Sequence, residues 1–384
     1  MSKLSTDAYK GVRDFYPKDK FIQNYIFAVW QKTVERFGYE QYDASVLEAS
    51  EIYKEKSGEE LVNEQTYTFT DRGGREVTLR PEMTPTVARM VAQQRRELGF
   101  PLRWFSIPNL FRYEATQRGR LREHWQLNVD LFGLSSVEAD LEVIQVAFQI
   151  MMNFGAKTND FEIRMNYPTG SDEELKSVME RLAEIGITNT VVDKTLARGQ
   201  AYYTGVVFEF FDTNKANPRS ILGGGRYDNL TALFGDNELP AVGFGAGDVT
   251  IRDFLETHGL LPEYHPATQI AVLPTDINLA KEVLLTAMTF RMNGLNVSVD
   301  WSGKKIGDMI HNADKLKIPF VVVVGPDEIK SKKFKLKNLR TGEEKEVDFN
   351  EKSGEHTHTH DHNHDHPSTP LGASEHYGHD HPSR

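Results

Sequence analysis

The stretch REHWQLNVDLFG, residues 122 to 133, alternates apolar and polar side chains with the period of a β-strand. The apolar positions would face a core: Trp125, Leu127, Val129 and Leu131. The opposite face would carry directional donors and acceptors: His124, Gln126, Asn128 and Asp130. Antiparallel sheets often leave one face to water, but these four residue types are poor strand formers. The pattern therefore favours a polar face that binds a small molecule, with a solvated face as the alternative.

Arginines gather around the loop that precedes this strand: Arg112, Arg118, Arg120 and Arg122. Arg80 also stands in TLRPE, two residues before Glu82. A guanidinium presents a fixed fork of donors that matches phosphate oxygens. The cluster therefore indicates a polyphosphate ligand, and surface ion pairs with Glu114 and Glu123 are the alternative. The sequence has neither GxGxxG spacing nor a GK[ST] motif, which excludes the two common phosphate-binding loops.

Two further segments supply tyrosines and glycines. RGQAYYTG carries Arg198 with the adjacent phenols Tyr202 and Tyr203, and a buried phenol needs a hydrogen-bond partner. ILGGGRYDNL places three glycines before Arg226 and Tyr227, and a backbone without Cβ atoms can approach a ligand closely. An α-ammonium group favours carboxylates, whereas carboxylate and phosphate groups favour arginines. Together these residues predict a site for an amino acid beside a nucleoside triphosphate.

An α+β domain would position these residues. Helical periodicity covers residues 20–37, 84–98 and 136–154. TYTFTDRGGREVTLRP has the pattern of a hairpin around its glycines, and VVFEFF and PAVGFGAG resemble further strands. We therefore expect an antiparallel sheet with helices, ending near residue 260.

Beyond residue 260 the pattern changes to continuous apolar strands, QIAVLP, LNVSVDW and PFVVVVG, with helical stretches between them. This rhythm predicts a small α/β domain over residues 267–350. The domain ends in the basic run KSKKFKLKNLR. Such a run fits either an edge strand that lysines protect from aggregation or a contact with a polyanion.

Composition limits the classes of protein. The chain has 384 residues, 39% of them hydrophobic, which is enough for two or three domains with real cores. Its net charge of −11 argues against wholesale coating of nucleic acid. The absence of cysteine excludes disulfides, thiolate metal sites and a thiol nucleophile. No apolar run approaches the roughly 20 residues of a membrane helix, and the N-terminus lacks a signal peptide's apolar segment. We expect a cytoplasmic protein.

Residues 351–384 hold nine of the 13 histidines and almost nothing to bury, so this tail is predicted to be disordered. Histidines alternate with other residues at its start: His356, His358, His360, His362, His364 and His366. Such a segment could bind Zn²⁺, Ni²⁺ or Cu²⁺ loosely, without a fixed geometry. An incidental low-complexity extension is the alternative, and neither reading makes the tail catalytic.

The ordered series of motifs resembles the histidyl-tRNA synthetase family, a branch of the class II aminoacyl-tRNA synthetases. The matching segments are KGVRDFYP, TYTFTDRGGREVTLRPEMTPTVARM, FRYEATQRGRLREHWQLNVDLFG, RGQAYYTGVVFE and GGGRYDNL with PAVGFGAGD. The resemblance covers the chain to about residue 350. It implies a class II antiparallel catalytic sheet, a C-terminal α/β anticodon-binding domain, a homodimer, ATP as a substrate and Mg²⁺ beside its phosphates. It implies histidine and histidine tRNA as the other substrates.

The resemblance also implies roles for individual residues. Histidine would be held by one set: Glu82, Thr84, Gln126, Asp130, Tyr202, Tyr203 and Tyr227. ATP would be held by another: Arg112 at the α-phosphate, Glu114 near the adenine, Arg120 at the outer phosphates and His124 stacked on the adenine. Arg198 would stabilise charge on the α-phosphate, so that Arg198 and Arg112 would be the catalytic residues. The polar face of the strand at 122–133 would then be the floor of the histidine and adenylate pocket.

The sequence departs from the family pattern at several points. Ala115 and Thr116 replace the usual Arg-Pro after FRYE, Ser45 replaces a proline of the dimer-forming motif, and Ala201 replaces an Asp. Val249 and Thr250 stand where the third motif usually has Glu and Arg, so an arginine for the ATP γ-phosphate is missing. The helical insertion that usually touches the acceptor stem is reduced to about residues 160–195.

Three functions remain open at this point. The first is a histidine–tRNA ligase. The second is the histidine-sensing regulatory subunit of ATP phosphoribosyltransferase, which is catalytically silent and typically lacks the anticodon domain. The third is a nucleic-acid-binding or metal-handling protein on an inactive synthetase scaffold. The predicted domain at 267–350 favours the ligase, whereas the short insertion and the missing arginine favour the sensor.

Overall fold

A computed structural model describes residues 4–54, 65–196, 203–235 and 238–348. The chain divides into two compact units, with the boundary between Tyr264 and His265. Within the described ranges, every helix is too short or too polar to cross a membrane.

The first unit contains six α-helices among its described residues. They are α1 (Pro17–Arg36), α2 (Glu51–Lys54), α3 (Thr84–Gln94), α4 (Val137–Asn153), α5 (Asp172–Glu184) and α6 (Asp248–Thr257). The predicted helix at 20–37 begins three residues earlier, because Pro17 occupies the first turn, where a missing N–H costs nothing. Gly38 follows with φ +80°, a conformation that suits glycine at a helix end.

The strands of the first unit are short, except for one. They are β1 (Glu40–Gln41), β2 (Leu47–Ala49), β3 (Tyr67–Thr70), β4 (Glu76–Leu79), β5 (Leu102–Ser106), β6 (Asn109–Phe111), β7 (Glu123–Phe132), β8 (Phe161–Asn166), β9 (Thr190–Val192), β10 (Val207–Asp212), β11 (Ser220–Arg226) and β12 (Ala241–Gly247). The main sheet has the order β1-β5-β7-β12-β11-β10-β8-β9, with β6 also paired to β7. Its central pairs are antiparallel, which confirms the predicted α+β fold.

One face of this sheet packs on the helices α1 and α4. Leu127, Val129 and Leu131 of β7 are fully buried there, as the alternation in the sequence predicts, together with Trp30 of α1. The other face carries a smaller apolar cluster that includes Phe132, Met83 and Tyr227. The polar side chains of β7 lie on this second face, so their surroundings are protein as well as solvent.

The region predicted as a reduced insertion, about 160–195, contains a single helix, α5, between β8 and β9. These two strands pair in parallel at one end of the main sheet. Ser171 caps α5: its side chain accepts from the Glu174 N–H, and the Glu174 carboxylate accepts from the Ser171 N–H. The described part of this segment therefore extends the main sheet.

Over residues 265–348, the second unit has a five-stranded sheet and three α-helices. Its elements are β13 (Ile270–Pro274), α7 (Ala280–Met292), β14 (Val297–Val299), α8 (Ile306–Lys315), β15 (Phe320–Val324), α9 (Pro326–Ser331), β16 (Lys333–Asn338) and β17 (Glu344–Asp348). The strand order is β14-β13-β15-β16-β17, with parallel pairs around β13. The small α/β fold agrees with the sequence pattern.

The basic run lies on β16, which is an internal strand between β15 and β17. The edge-strand interpretation of this run is therefore wrong. Lys333 and Lys337 donate to Glu346 and Glu344 of β17, at 2.8 and 3.3 Å. Cross-strand charge pairs offset part of the positive charge, and a contact with a polyanion stays a prediction.

Candidate active site

The polar face of β7 lines a cavity of about 100 Å³. Seven of the residues predicted to bind substrate line it: Glu82, Thr84, Arg112, Gln126, Asp130, Tyr203 and Tyr227. The fold therefore brings together groups that are up to 145 positions apart in the chain. Five further lining residues were missing from the predicted site: Asn128, Gly223, Gly243, Phe244 and Gly245. Strand alternation does place Asn128 on the polar face, between Gln126 and Asp130, although the family resemblance gives it no role.

The room for a ligand comes from glycines on the two strands beside β7. Asp130 lies opposite Gly243 of β12, which lies opposite Gly225 of β11. A Cβ atom on Gly243 would lie 2.5 Å from the Asp130 carboxylate and 2.5 Å from the Val129 carbonyl oxygen. A Cβ atom on Gly245 would lie 2.5 Å from Gln126 Nε2. Glycine is thus the residue that lets these polar side chains lie over the neighbouring strand.

Asp130 is a buried polar group of the cavity and is only 3% exposed. The Tyr227 hydroxyl donates a hydrogen bond to Oδ1 of Asp130. Oδ2 is also buried and has no hydrogen-bond partner among the described residues. Burial raises the pKa of Asp130 to about 7, and the hydrogen bond from Tyr227 offsets part of this effect. An acceptor that is buried without a partner is costly, so Oδ2 is suited to receive a ligand N–H.

Glu82 and Thr84 lie at the start of α3, opposite the floor of the cavity. The backbone before them is held by Arg80, which is 3% exposed and donates to the carbonyl oxygens of Ala44 at 2.7 Å and Asn109 at 2.9 Å. Arg80 is therefore a buried structural residue and is wrongly placed in a phosphate-binding cluster. It positions Glu82, whose side chain is also buried.

Arg112 lies beside the first residues of β7, because its N–H donates to the Arg122 carbonyl oxygen at 2.8 Å. Its Nε donates to the Pro81 carbonyl oxygen at 2.9 Å. Its terminal nitrogens have no acceptor within the described residues, so they are available to a ligand in the cavity. His124, in the same column of side chains, has its pKa lowered to about 3 by burial and by the positive charges of Arg112 and Arg13. His124 is therefore a neutral ring.

The remaining predicted ATP ligands form a pair with each other. Arg120 donates from Nη2 to Oε1 of Glu114 at 2.7 Å, and its Nε also contacts the Glu114 carboxylate. Glu114 is 7% exposed. These two side chains do not line the cavity, and their predicted contacts with ATP stay predictions. This pairing corresponds to the ion-pair alternative for the arginine cluster.

The other two loop arginines are also engaged. Arg118 donates to Asn217 at 2.9 Å and to Thr257 at 3.3 Å. The guanidinium of Arg122 lies 4.0 Å from the centre of the Tyr113 ring, in a cation–π contact. The arginine cluster is thus divided among several partners.

Two charged residues at the ends of the glycine-rich strands β11 and β12 stabilise the scaffold. Arg226 is 6% exposed and donates from Nη2 to Asp140 at 2.9 Å, which ties β11 to the first turn of α4. Asp248, the first residue of α6, accepts from the Trp125 N–H at 3.0 Å and from Arg13 at 2.7 Å. These bonds fix β7 and β11 relative to the helices.

Several predicted residues lie outside the described residues. They are Arg198, Tyr202 and the tail histidines His356, His358, His360, His362, His364 and His366. Their assignments stay predictions.

Comparison with known proteins agrees with this fold. The histidyl-tRNA synthetase family matches residues 11–169 and 164–247, and an anticodon binding domain matches residues 269–355. The histidine–tRNA ligase of Leptospira biflexa is 37% identical over 91% of this chain and 97% of its own length. The histidine–tRNA ligase of Thermoplasma volcanium is 32% identical over 90% of this chain and 96% of its own length.

A solved structure shares the fold. The apo histidyl-tRNA synthetase of S. aureus superimposes with a TM-score of 0.79 at 24% identity, over 91% of this chain and 98% of that one. The antiparallel sheet and the histidyl-tRNA synthetase match together define a class II aminoacyl-tRNA synthetase. Within that class, the chain belongs to the histidyl-tRNA synthetase family.

Proposed function

We propose that the chain is a histidine–tRNA ligase, which activates histidine with ATP and transfers it to the 3′ end of histidine tRNA. The observation that carries the proposal is the cavity on β7. It has a buried acceptor, Asp130 with Tyr227, at one end and the free guanidinium nitrogens of Arg112 at the other. Relatives named histidine–tRNA ligase match over nearly the whole chain. The anticodon-domain match favours the ligase over the regulatory subunit.

The two ends of the cavity orient histidine. Its carboxylate must meet the α-phosphate of ATP, and Arg112 is the cation that suits that phosphate. The imidazole then points towards Asp130, where the free Oδ2 accepts an imidazole N–H and Tyr203 and Tyr227 surround the ring. Glu82, Thr84 and Gln126 are left for the α-ammonium group, which agrees with the carboxylate and oxygen acceptors that an ammonium needs.

The first step is attack of the histidine carboxylate on the α-phosphate of ATP, with pyrophosphate as the leaving group. The second is transfer of the acyl group from the adenylate to a hydroxyl of the terminal adenosine, which releases AMP. Little covalent participation by the protein is needed, so positioning and electrostatic stabilisation carry the rate. Arg112 and Arg198 supply positive charge at the α-phosphate, and His124 stacks on the adenine.

ATP-dependent activation also implies Mg²⁺, which shares the charge of the phosphates. Mg²⁺ is usually held by one or two carboxylates together with phosphate oxygens and water. The described residues contain no group of three or more potential metal ligands.

The other parts of the chain receive complementary roles. We assign residues 1–260 to catalysis and residues 267–350 to anticodon binding, in a cytoplasmic homodimer. With only about residues 160–195 in place of the usual insertion, the acceptor stem must dock on the catalytic unit itself. We assign residues 351–384 no part in catalysis.

The decisive experiment measures charging of histidine tRNA with labelled histidine, with histidine-dependent pyrophosphate exchange beside it. The ligase gives both activities. Exchange without charging would restrict the protein to amino-acid activation, and the loss of both would contradict the proposal. Arg198→Ala should abolish exchange with the fold intact, and unchanged exchange would remove Arg198 from the mechanism.

A further inference from the structure

Arg219, which directly precedes β11, is a partly buried arginine that makes no hydrogen bond or ion pair with the described residues. This distinguishes it from its neighbours. Arg118 is bonded to Asn217 and Thr257, and Arg120 to Glu114. None of its guanidinium nitrogens is a buried atom without a partner, so the group is open to solvent and accessible to an anionic ligand.

The position of Arg219 on the sheet relates it to the cavity. On β11, Gly225 lies opposite Gly243 and Gly223 opposite Gly245, and both rows continue across to the polar residues of β7. The register of β11 with β10 shifts beside Ile221, which packs in the helix-side core, so strand alternation does not extend to Arg219. Along β11, Gly225 lies towards the Asp130 end of β7, and the residues before Leu222 lie towards the His124 end, since Leu222 is opposite Ala246 and Ala246 opposite Leu127. Arg219 thus belongs to the end where the nucleotide is proposed to bind.

The side chain of Arg219 also contacts the arginine-rich loop. A Cβ atom on Gly119 would lie 3.0 Å from Cδ of Arg219 and 3.4 Å from Cγ2 of Thr250. The Thr250 hydroxyl donates to the Ile221 carbonyl oxygen at 2.8 Å, which fixes the first turn of α6 beside β11. Arg219 is therefore packed between two features. One is the loop that carries Arg118 and Arg120, and the other is Thr250, the uncharged residue at the third-motif position where the family usually has an arginine.

The charges around this point favour an anion. Arg118, Arg219 and Asp253 line a small cavity of about 10 Å³, which is too small for a phosphate. Two guanidinium groups face one carboxylate there. Desolvation raises the pKa of Asp253, while the positive charge of Arg118 lowers it. A phosphate would bind on the open side of the Arg219 guanidinium, because the aliphatic part of the side chain is packed on Gly119.

We propose that Arg219 binds the outer phosphates of ATP and supplies the positive charge that Thr250 lacks. The assignment rests on the proposed function. A guanidinium can donate two parallel hydrogen bonds to phosphate oxygens, which a threonine hydroxyl cannot replace. Arg219 would thus stabilise bound ATP and departing pyrophosphate, and would make no contact with histidine or with the AMP part of the adenylate.

The test compares Arg219→Ala and Arg219→Lys with the wild type and with Arg96→Ala, which removes an exposed arginine after α3. Three quantities are measured: the KM for ATP in histidine-dependent pyrophosphate exchange, the Kd for ATP by calorimetry, and the Kd for a non-hydrolysable histidyl-adenylate analogue. Arg219→Ala should raise the first two about 10- to 100-fold and change the third less than about twofold. Arg219→Lys should recover part of the loss, and Arg96→Ala should behave as the wild type.

Two outcomes would overturn the assignment. An ATP affinity unchanged in Arg219→Ala would show that the guanidinium does not contact the outer phosphates. Equal weakening of the adenylate analogue would show that Arg219 merely supports the fold of the site. Calorimetry separates this proposal from the function: if the wild type binds ATP but performs no exchange, the ligase proposal fails while the Arg219 contact is still measured.

Discussion

The two ends of the polar column on β7 are built in different ways. At one end Asp130 is buried against apolar residues, has a fixed partner in Tyr227, and lies over Gly243. At the other end the charged side chains are more exposed. Several of them are bound to each other, as Arg120 is to Glu114.

This difference indicates that the two ends of the site bind their ligands in different ways. A buried, preformed acceptor suits recognition of an imidazole, because its geometry needs no reorganisation when the ligand binds. A triphosphate carries a large negative charge. In the absence of ATP, the arginines that would bind it are partly exposed to water or paired with a carboxylate. We therefore infer that histidine enters a prepared pocket, whereas ATP must displace existing contacts such as the Glu114–Arg120 pair.

The strongest test of the buried end concerns Asp130 and pH. A pKa near 7, in place of the ordinary value near 4, corresponds to about 4 kcal/mol. Between these two pH values the folded protein keeps a proton that the unfolded chain has released, so this group lowers stability as the pH rises from about 4 to about 7. The Asp130→Asn variant should not show this pH-dependent loss of stability. In urea unfolding at several pH values, the free energy of unfolding of the variant relative to that of the wild type should increase by up to about 4 kcal/mol between pH 4 and pH 7.

The control for this measurement is Asp14→Asn, which changes a carboxylate outside the cavity. Curves for wild type and Asp130→Asn that stay parallel from pH 4 to pH 8 would contradict a buried carboxylate of raised pKa. The contrast between the two ends of the column would then lose its electrostatic basis.

The arginine end should dominate the chemical step. Arg112→Ala removes the guanidinium whose terminal nitrogens face the cavity, and the loss of one preorganised donor typically lowers kcat about 10²- to 10³-fold. Pyrophosphate exchange at saturating ATP and histidine measures this loss, with Arg96→Ala as the control. If only the KM for histidine increased, Arg112 would belong to amino-acid binding and the proposed orientation would be reversed.

Removing the space at the buried end should chiefly affect histidine. A methyl group at position 243 would lie 2.5 Å from the Asp130 carboxylate and the Val129 carbonyl, and a shift of about 1 Å in a reacting group can cost about 100-fold in rate. Gly247→Ala is a matched control on the same strand, since its Cβ would meet only Thr250 Oγ1 at 3.4 Å. Gly243→Ala should lower kcat/KM for histidine about 100-fold and affect ATP binding less. Equal effects of Gly243→Ala and Gly247→Ala would contradict the proposal that Gly243 provides the space for the Asp130 side chain.

The smallest expected effect belongs to His124. Because its pKa is lowered to about 3, the ring is neutral under working conditions and acts through its face. Stacking of a base on an aromatic ring contributes about 1–3 kcal/mol, so His124→Ala should weaken ATP binding about 10-fold or more, whereas His124→Phe should retain most of it. Calorimetry with ATP measures both. A loss in His124→Phe as large as in His124→Ala would require a polar role for the imidazole.

Part of this site could be predicted from local pattern. Alternation along 122–133 separated Leu127 and Val129, which are buried in the core, from Gln126 and Asp130, which line the cavity. Strand geometry repeats every two residues regardless of the rest of the fold, so the pattern is sufficient. The same rule covers Asn128, although the predicted site omitted it.

Residue type alone was a poorer guide for the arginines. Residue type groups Arg80 with phosphate ligands, but Arg80 is buried and bonded to the backbone carbonyls of Ala44 and Asn109. The family resemblance assigns Arg120 to the outer phosphates, whereas its side chain pairs with Glu114, and no sequence motif points to Arg219. A guanidinium accepts any nearby carbonyl, carboxylate or phosphate, so its role depends on which groups the fold brings within reach.

The sequence by itself determined the family, the two fold classes and the faces of the central strand, because these depend on motif order and on periodicity. Only the tertiary structure decided which charges are paired, which acceptor is left free, and where glycines open a cavity. Those features arise from contacts between strands and loops distant in the chain, such as Tyr227 with Asp130 and Gly119 with Arg219. Such side-chain distances depend on how the whole sheet packs, so a local sequence pattern cannot predict them.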